Sequence, residues 1–573
     1  MKKMIPFFII MLVMLSSMTS LASSERQDHK IRKEHIVFSE PSLKETTYST
    51  IHIISSESYL MDEGKPLLPR YTETFTFPFG TDIKDVRCIV KNVQHIGLSK
   101  QLEPSPKKIS VGTATTTVDE NLCYLLTETY PEDWYDFHVG CGIVGDERVI
   151  IAKVDISPAR YDPIEHHISW VEEIDIEIDY EENTVQIHTD EEFDLLVISP
   201  LSYAGQVQPL VNHKNSRGIP TKLVTLSEIS SGEYFPARGR DDIEEIKYFI
   251  KDAIENWLIT NVLIIGGASD VPARETHVFV GEDDDEVFVS DLYYADIYDG
   301  ERNFSSWDSN GNDIFAEYNW DEGTDDIDFY PDVKIGRLAC IDNVQVTTAV
   351  NKIITYETSK AYTQNWFNNI VVIGGDTVPE SYGDDSDTDE GERVNQFILD
   401  RMQGFIPDRI WDSNGRLSGL LTTGLDAIKM GIEHGCGFLD FSGHGGSWVW
   451  TTFPHNGERQ TLPTPTGRYT NTIIGELRNG DMLPIVINGG CSLGKYQEDD
   501  NCNAWAFIAN PYGGGIASFG ATGLGYVYVG IYITEGLVEG LNIDIIEAYR
   551  DGAITFGEMY STGLFTYIHG NLG

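Results

Sequence analysis

The chain has 573 residues, 41 of them basic and 90 acidic, for a formal net charge of −49. That length exceeds what one hydrophobic core organises, so two to four domains are expected. The acidity excludes a broad phosphate-binding face and argues against nucleic acid as a partner; solubility in a salty medium or binding of calcium would each account for part of it.

Residues 1–22 open with Met-Lys-Lys, run apolar from Ile5 to Leu15 and end in the small residues of Ser20-Leu21-Ala22, the pattern of a secretory signal peptide. No later segment approaches 18 uninterrupted apolar residues, so the mature chain is expected to be exported without an integral membrane segment. Residues 23–190 read as a β-rich domain. Thr72–Phe77 and Val171–Tyr180 alternate with period two, and turns such as Gly64-Lys-Pro66 and Asp162-Pro163 separate the runs, which suggests a sandwich.

From Phe193 the pattern changes to α/β. Phe193–Pro200 is a short buried strand, Arg217–Thr225 leads into another, and Ile243, Ile246, Ile250, Ala253 and Trp257 lie on one helical face before the strand Val262–Gly267. Strands alternating with helices predict a mostly parallel sheet covered on both faces. A second such run starts at Asn369–Gly375 and continues to Gly515–Phe519. Because Leu263–Pro272 and Val372–Pro379 resemble each other, two side-by-side subdomains are expected, 191–362 and 363–573. Ile543–Tyr549 and Phe556–Tyr567 read as closing helices, after which the chain stops abruptly, as a fragment or a chain lacking a further C-terminal module would.

Acidic runs at Glu282–Glu286, Asp321–Asp328 and Asp384–Glu392 are read as solvated loops. The segment Trp307–Glu317 is a candidate calcium loop. Asp308, Asn310 and Asn312 place oxygens at alternate positions and Glu317 would close the shell, although the frame is not an EF-hand and an ion-free Asn/Gly turn is the alternative. The related Trp411–Gly415 lacks later acids and reads as a turn.

Two strand ends carry the chemistry. Gly437-Phe-Leu-Asp-Phe-Ser-Gly-His444 and Leu483-Pro-Ile-Val-Ile-Asn-Gly-Gly-Cys491 each finish an apolar strand with glycine and one reactive side chain. The C-terminal edge of an open α/β sheet is where ligands bind, and a thiol beside an imidazole supplies a nucleophile and its base. Cysteine is commonly a small core residue, but a core cysteine does not need two preceding glycines. The interval from His444 to Cys491 is close to the roughly 50 residues separating base and nucleophile in caspase-type enzymes. The seven cysteines, at 88, 123, 141, 340, 436, 491 and 502, form no Cys-x-x-Cys, and their odd number leaves at least one unpaired within the chain.

These features together resemble the gingipain family of secreted cysteine peptidases, whose fold is caspase-like. Gly64–Pro69 and Pro158–Pro163 resemble that family's β-rich propeptide. Phe193–Thr225, Ser290–Ala295 and Pro331–Leu338 resemble its first subdomain, and the Gly-His-Gly and Gly-Cys strand ends its catalytic pair. The resemblance implies a zymogen in which Cys491 attacks a peptide carbonyl and His444 protonates the leaving amine. The N–H groups of Gly445 and Cys491 would hold the oxyanion. It also implies an acid orienting the histidine, at Asp376, where the family has glutamate and where a simple turn aspartate is the alternative. An acid in the S1 pocket, Asp389, would favour a basic residue before the cleaved bond. Against that preference, Glu181–Glu192, where a propeptide would be cut off, contains no Lys or Arg. The competing reading is a catalytically inactive calcium-binding surface or interaction protein on the same fold, which a Cys491–Cys502 bridge would favour. A metallohydrolase is disfavoured because His-Glu-x-x-His is missing. Protein or peptide substrates, calcium and no organic cofactor are therefore expected.

Overall fold

A computed structural model describes residues 29–56, 58–111, 128–183, 191–279, 285–318, 324–379, 388–455, 457 and 460–570. The signal-peptide stretch, Cys123, residues 184–190 of the expected propeptide junction, and residues 282–284, 321–323 and 384–387 of the acidic runs lie outside them.

The N-terminal part holds two four-stranded antiparallel sheets. One is centred on His167–Glu182, which pairs with His29–Val37, Thr81–Gly97 and Ala159–Asp162. Along it Ile174, Ile176 and Ile178 are fully buried, while Asp175 and Glu177 point outward to Lys91 and Lys33. This alternation is what a half-buried strand demands. The other sheet comprises Ser58–Leu60, Leu68–Pro78, Tyr135–Val144 and Glu147–Ile156. Phe75, Phe77, Ile150, Ala152 and Val154 share an apolar cluster with the isoleucines of the first sheet.

Two parallel sheets follow. The first runs in the order Thr221–Thr225, Leu195–Ser199, Asn261–Ile265, Lys334–Leu338. Every residue of Leu195–Ser199 is buried, and alternate residues enter different cores. Leu196 and Ile198 join the cluster of the β-rich part, whereas Leu195 and Val197 join a cluster shared with Val371, Ile373, Leu439, Phe441 and Val486 of the second sheet. That is why these strands read as unbroken apolar runs. The helix Asp242–Trp257 covers the first sheet with Ile246, Ile250, Ala253 and Trp257. It starts at Asp241, whose carboxylate accepts the Glu244 N–H at 2.8 Å.

The second sheet has the order Ile406–Trp411, Asn369–Gly374, Phe438–Ser442, Ile485–Asn488, Ala517–Gly520, all parallel. From Asn369–Gly374 the chain goes first to the strand on one side and then to the strand on the other. The topological switch, and with it the crevice at the strands' C-terminal ends, therefore lies beside Gly374 and Ser442. The closing helices span Leu537–Arg550 and Phe556–Gly570. Ile543, Ile545, Ile546 and Met559 pack with Ile370, Val372, Phe438, Ile485 and Ile487, on the face opposite the one toward the first sheet. Among the described residues no helix is long and apolar enough to cross a membrane.

Candidate active site

His444 stands just beyond the strand Phe438–Ser442, at the start of a short strand pairing with Val449–Thr451. Cys491 follows the neighbouring strand Ile485–Asn488 by the turn Gly489-Gly490. The two loops meet backbone to backbone. A Cβ on Gly445 would stand 2.4 Å from the Cys491 carbonyl oxygen, and one on Gly490, whose φ is +148°, would stand 2.8 Å from the Gly445 nitrogen. Glycine at both places is what allows the imidazole-bearing and thiol-bearing loops to approach.

Cys491 is 1% exposed. Its thiol donates to the Gly525 carbonyl at 3.3 Å and accepts the Gly525 N–H at 3.1 Å. Burial pushes its pKa up, and the Gly525 N–H opposes that shift by hydrogen bonding. The six described cysteines, Cys491 and Cys502 among them, are thiols. His444 Nε2 donates to the carbonyl of Thr377 at 2.6 Å, and its ring meets the edge of Phe453. Burial lowers its pKa, and the hydrogen bond it donates to the Thr377 carbonyl opposes that shift. A carbonyl partner fixes the Nε2-protonated tautomer and leaves Nδ1 to exchange a proton.

Against His444 Nε2 stands the Thr377 carbonyl, where the sequence pointed to the carboxylate of Asp376. Asp376 is buried, its Oδ1 accepts the Val378 N–H at 3.1 Å, and its backbone pairs with Phe453. The short side chain closes its own turn, and that turn presents the next carbonyl. Asp389 stands directly before the helix Glu390–Arg401 with its Oδ1 2.9 Å from His455 Nδ1. The neighbouring Glu390 is fully buried. It accepts from the N–H groups of Thr377 at 3.1 Å, Val378 at 3.0 Å and Gly530 at 3.0 Å, joining the histidine's turn to the opposite wall.

Sequence reasoning missed that opposite wall and what lies on it. Lys108–Ser110, from the β-rich part, pairs antiparallel with Tyr526–Tyr528. Val111 extends the pairing, its N–H donating to the Gly525 carbonyl at 3.0 Å. Val111 shares a buried cluster with Cys491, and the Gly525 that it bonds holds the Cys491 thiol through both its N–H and its carbonyl. Ile109 and Ser110 line a cleft of about 350 Å³ together with Thr377, Val378, His444, Gly445, Trp448 and Phe453. Two alternating stretches, Lys108-Ile-Ser-Val and Tyr526-Val-Tyr-Val, were the available signals, but strand pairing across some 400 residues leaves no local trace.

The candidate calcium residues come together only in part. Asp308 pairs with Arg240 and accepts the Asn312 N–H at 2.9 Å. The side-chain amides of Asn310 and Asn312 reach Glu317 Oε2 at 2.6 and 2.9 Å. Glu317 is buried, and its Oε1 has no partner among the described residues. No group of three or more His, Cys, Asp or Glu side chains is arranged for a metal among the described residues. Trp411–Gly415 forms a turn, Gly415 N–H donating to the Asp412 carbonyl at 2.7 Å.

The chain is similar to known proteins. A model of peptidase family C25 matches residues 188–570. Gingipain R2 of Porphyromonas gingivalis is 22% identical over 317 residues, 55% of this chain and 34% of that protein. Gingipain R1 of the same organism is 22% identical over 317 residues, 55% of this chain and 25% of its own length. The chain thus spans about a third or less of these curated relatives. The solved structure described as the crystal structure of the Arg specific cysteine proteinase gingipain R (RGPB) is 19% identical. It covers 68% of this chain and 76% of that chain, with a TM-score of 0.45. Residues 188–570 include both parallel sheets, His444 and Cys491, and the chain belongs to peptidase family C25, the gingipain-type cysteine peptidases.

Proposed function

We propose that the chain is an exported cysteine endopeptidase in its latent form. The observation that carries this is that Gly525, which holds the Cys491 thiol by its N–H and its carbonyl, also accepts the Val111 N–H of the β-rich part at 3.0 Å, while Ile109 and Ser110 line the cleft beside His444. A peptide strand held along Gly525–Tyr528 would bring a carbonyl to the same place. Cys491 gives its proton to His444 Nδ1, and the thiolate adds to the carbonyl carbon. The N–H groups of Gly445 and Cys491 hold the resulting oxyanion. His444 then returns the proton to the leaving amine, the C–N bond breaks, and water releases the acyl group from sulfur. Thr377 keeps the imidazole in the useful tautomer. Asp376 contributes by shaping the turn that presents Thr377.

The β-rich part acts as the prosegment. With Lys108–Val111 in the cleft, burial disfavours both thiolate and imidazolium, so the pair stays neutral and inert. Removing that strand readmits water and lets the ion pair form. The basic residue anticipated at P1 rests on Asp389. With that carboxylate on His455, the proposed activity does not depend on it. Calcium, if bound, would be held by Glu317 with Asn310 and Asn312 turned to offer their carbonyl oxygens, and Asp308 joining by exchange with Arg240. The buried, unpartnered Glu317 Oε1 supports that fit, and the ion's part would be structural.

Iodoacetamide labelling and peptide digestion test the proposal together. Release of the prosegment is expected to make Cys491 the fastest-alkylated thiol and to start peptide cleavage that Cys491→Ala abolishes. Cleavage persisting in that variant refutes the assignment. Chelation is expected to lower the melting temperature of the wild type and to leave Glu317→Gln unmoved.

A further inference from the structure

The small sheet that carries His444 also carries a cation, and its place bears on the leaving-group half of a substrate, an inference resting on the peptidase reading. His444 lies opposite Thr451 in the antiparallel pair of His444–Gly446 with Val449–Thr451. On the other edge of that central strand Val449 lies opposite Thr470 and Trp450 opposite Tyr469. The same register continued by one residue sets Arg468 opposite Thr451. His444, Thr451 and Arg468 thus form one row across three strands, and directly opposed residues share a face. That face is the floor of the cleft. His444, Val449, Thr451 and Arg468 all line it, whereas Trp450 and Tyr469, on the alternate face, are 1% and 0% exposed. With neighbouring strands about 4.8 Å apart, Arg468 starts about 10 Å from His444.

Arg468 is exposed, and its guanidinium lies 5.6 Å from the ring centre of Trp448, which also lines the cleft. An aromatic face supports a planar guanidinium and leaves its N–H edge free to take a carboxylate in bidentate fashion. That edge is unclaimed. In this acidic chain Arg70, Arg240, Arg274, Arg337 and Arg416 each pair with an Asp or Glu, whereas Arg468 makes no ion pair among the described residues. None of the described residues lining the cleft is an acid. A carboxylate entering it therefore meets a cation with no internal competitor, on a molecule whose net charge of −49 repels acids elsewhere.

The acyl half of a substrate lies along Gly525–Tyr528, beside the thiol. The imidazole hands its proton to the leaving amine, so the row from His444 to Arg468 underlies the residues after the cut. Its length is about three residues of extended chain, and the arginine side chain shortens the gap. We propose that Arg468, backed by Trp448, binds a carboxylate carried within the first three residues after the cleaved bond, either an Asp or Glu side chain or the substrate's own C-terminus.

A peptide library tests this. Full-length chain is treated briefly with trypsin, the trypsin is inhibited, and the product digests peptides with blocked N-termini, prepared once with free and once with amidated C-termini. Cuts are read by mass spectrometry, with identically treated Cys491→Ala as the blank. A carboxylate within three residues after the cut is expected to be enriched at least about threefold over Lys and Arg there, the scale of an exposed ion pair. The enrichment should shrink in about 0.5 M salt. Arg468→Gln should abolish the preference and Arg468→Glu should reverse it toward Lys and Arg. A preference that survives amidation assigns the carboxylate to side chains, and one lost on amidation assigns it to the C-terminus; either supports the proposal.

Equal use of acidic and basic residues after the cut, a preference that both Arg468 variants retain, or one confined to residues before the cut overturns the inference and leaves the peptidase reading standing. If the treated wild type cuts nothing beyond the blank, the peptidase reading fails and takes this inference with it.

Discussion

Replacing Gly490 by alanine tests how the two reactive loops are held together. The new methyl carbon would lie 2.8 Å from the Gly445 nitrogen and 2.9 Å from the His444 carbonyl carbon, both backbone atoms that no rotamer change can move. It would also sit on a residue with φ of +148°, a conformation costing an L-residue about 1–3 kcal/mol. Forcing a group into filled space adds about 1–3 kcal/mol more. The clash is relieved only if the Cys491 loop slides from the His444 loop, and a displacement of about 1 Å at reacting groups costs on the order of 10²-fold in rate. Gly480→Ala is the control, since Gly480 also has positive φ, +59°, but no atom lies within 4 Å of its would-be Cβ. It should lose about 1 kcal/mol of stability and no activity. Thermal melts by circular dichroism, with peptide hydrolysis by the released enzyme, measure both effects. Gly490→Ala with a native melt and a rate within about threefold of wild type would refute the claim that close loop contact sets the thiol–imidazole geometry.

Three further outcomes follow from buried charge. Asp440, on the histidine strand, is fully buried with Oδ2 accepting from Asn395 at 2.6 Å, and burial pushes its pKa up to about 7. Glu539, likewise fully buried, is pushed up to about 8 by burial and by Asp440. Unfolded, both release their protons near pH 4, so the unfolded chain binds fewer protons than the folded one, and stability falls as pH rises from about 4 to 8. Asp440→Asn should flatten that decline and raise the melting temperature at pH 8 by an amount equivalent to about 1–3 kcal/mol; an unchanged pH profile counts against it. Glu390→Gln removes a charged acceptor of three backbone N–H groups and should cost about 2–4 kcal/mol in a urea melt, since such bonds contribute about 1.5–3 kcal/mol each with partial compensation; a loss under 1 kcal/mol refutes its bridging role. Lys352, whose ammonium group donates to the carbonyls of Phe507, Ile508 and Gly515, has its pKa lowered to about 7 by burial. The unfolded chain holds that proton to about pH 10.4, so Lys352 contributes stability that increases between pH 7 and 10, and Lys352→Met should erase that rise in pH-dependent melts.

Much of the site was legible locally because strand ends and glycines speak through short sequence. Apolar runs ending Ser-Gly-His and Asn-Gly-Gly-Cys predicted neighbouring strand tips, and the structure adds why glycine is needed: two backbones touch at Gly445 and Gly490. The partner of His444 was not legible, because it is a main-chain oxygen and every residue has one. Its selection depends on the turn that Asp376 and Glu390 hold. Acidic runs looked alike in sequence, and only folding separates Glu390, buried against three N–H groups, from Asp389, partly exposed beside His455.

By itself the sequence determined the period-two strands of the β-rich part, the doubly buried strands of the α/β part, and the two residues at their tips. Each follows from interactions between residues close along the chain or from the need to bury an apolar run. Only the tertiary structure decided what lies across from those tips. Lys108–Val111 reaches the cleft because it pairs with Tyr526–Tyr528, and Val111 meets Gly525, which holds the Cys491 thiol, because that pairing has one register. Backbone hydrogen bonds hold it there, and backbone atoms are the same for every residue, so this contact is the one the sequence could not announce.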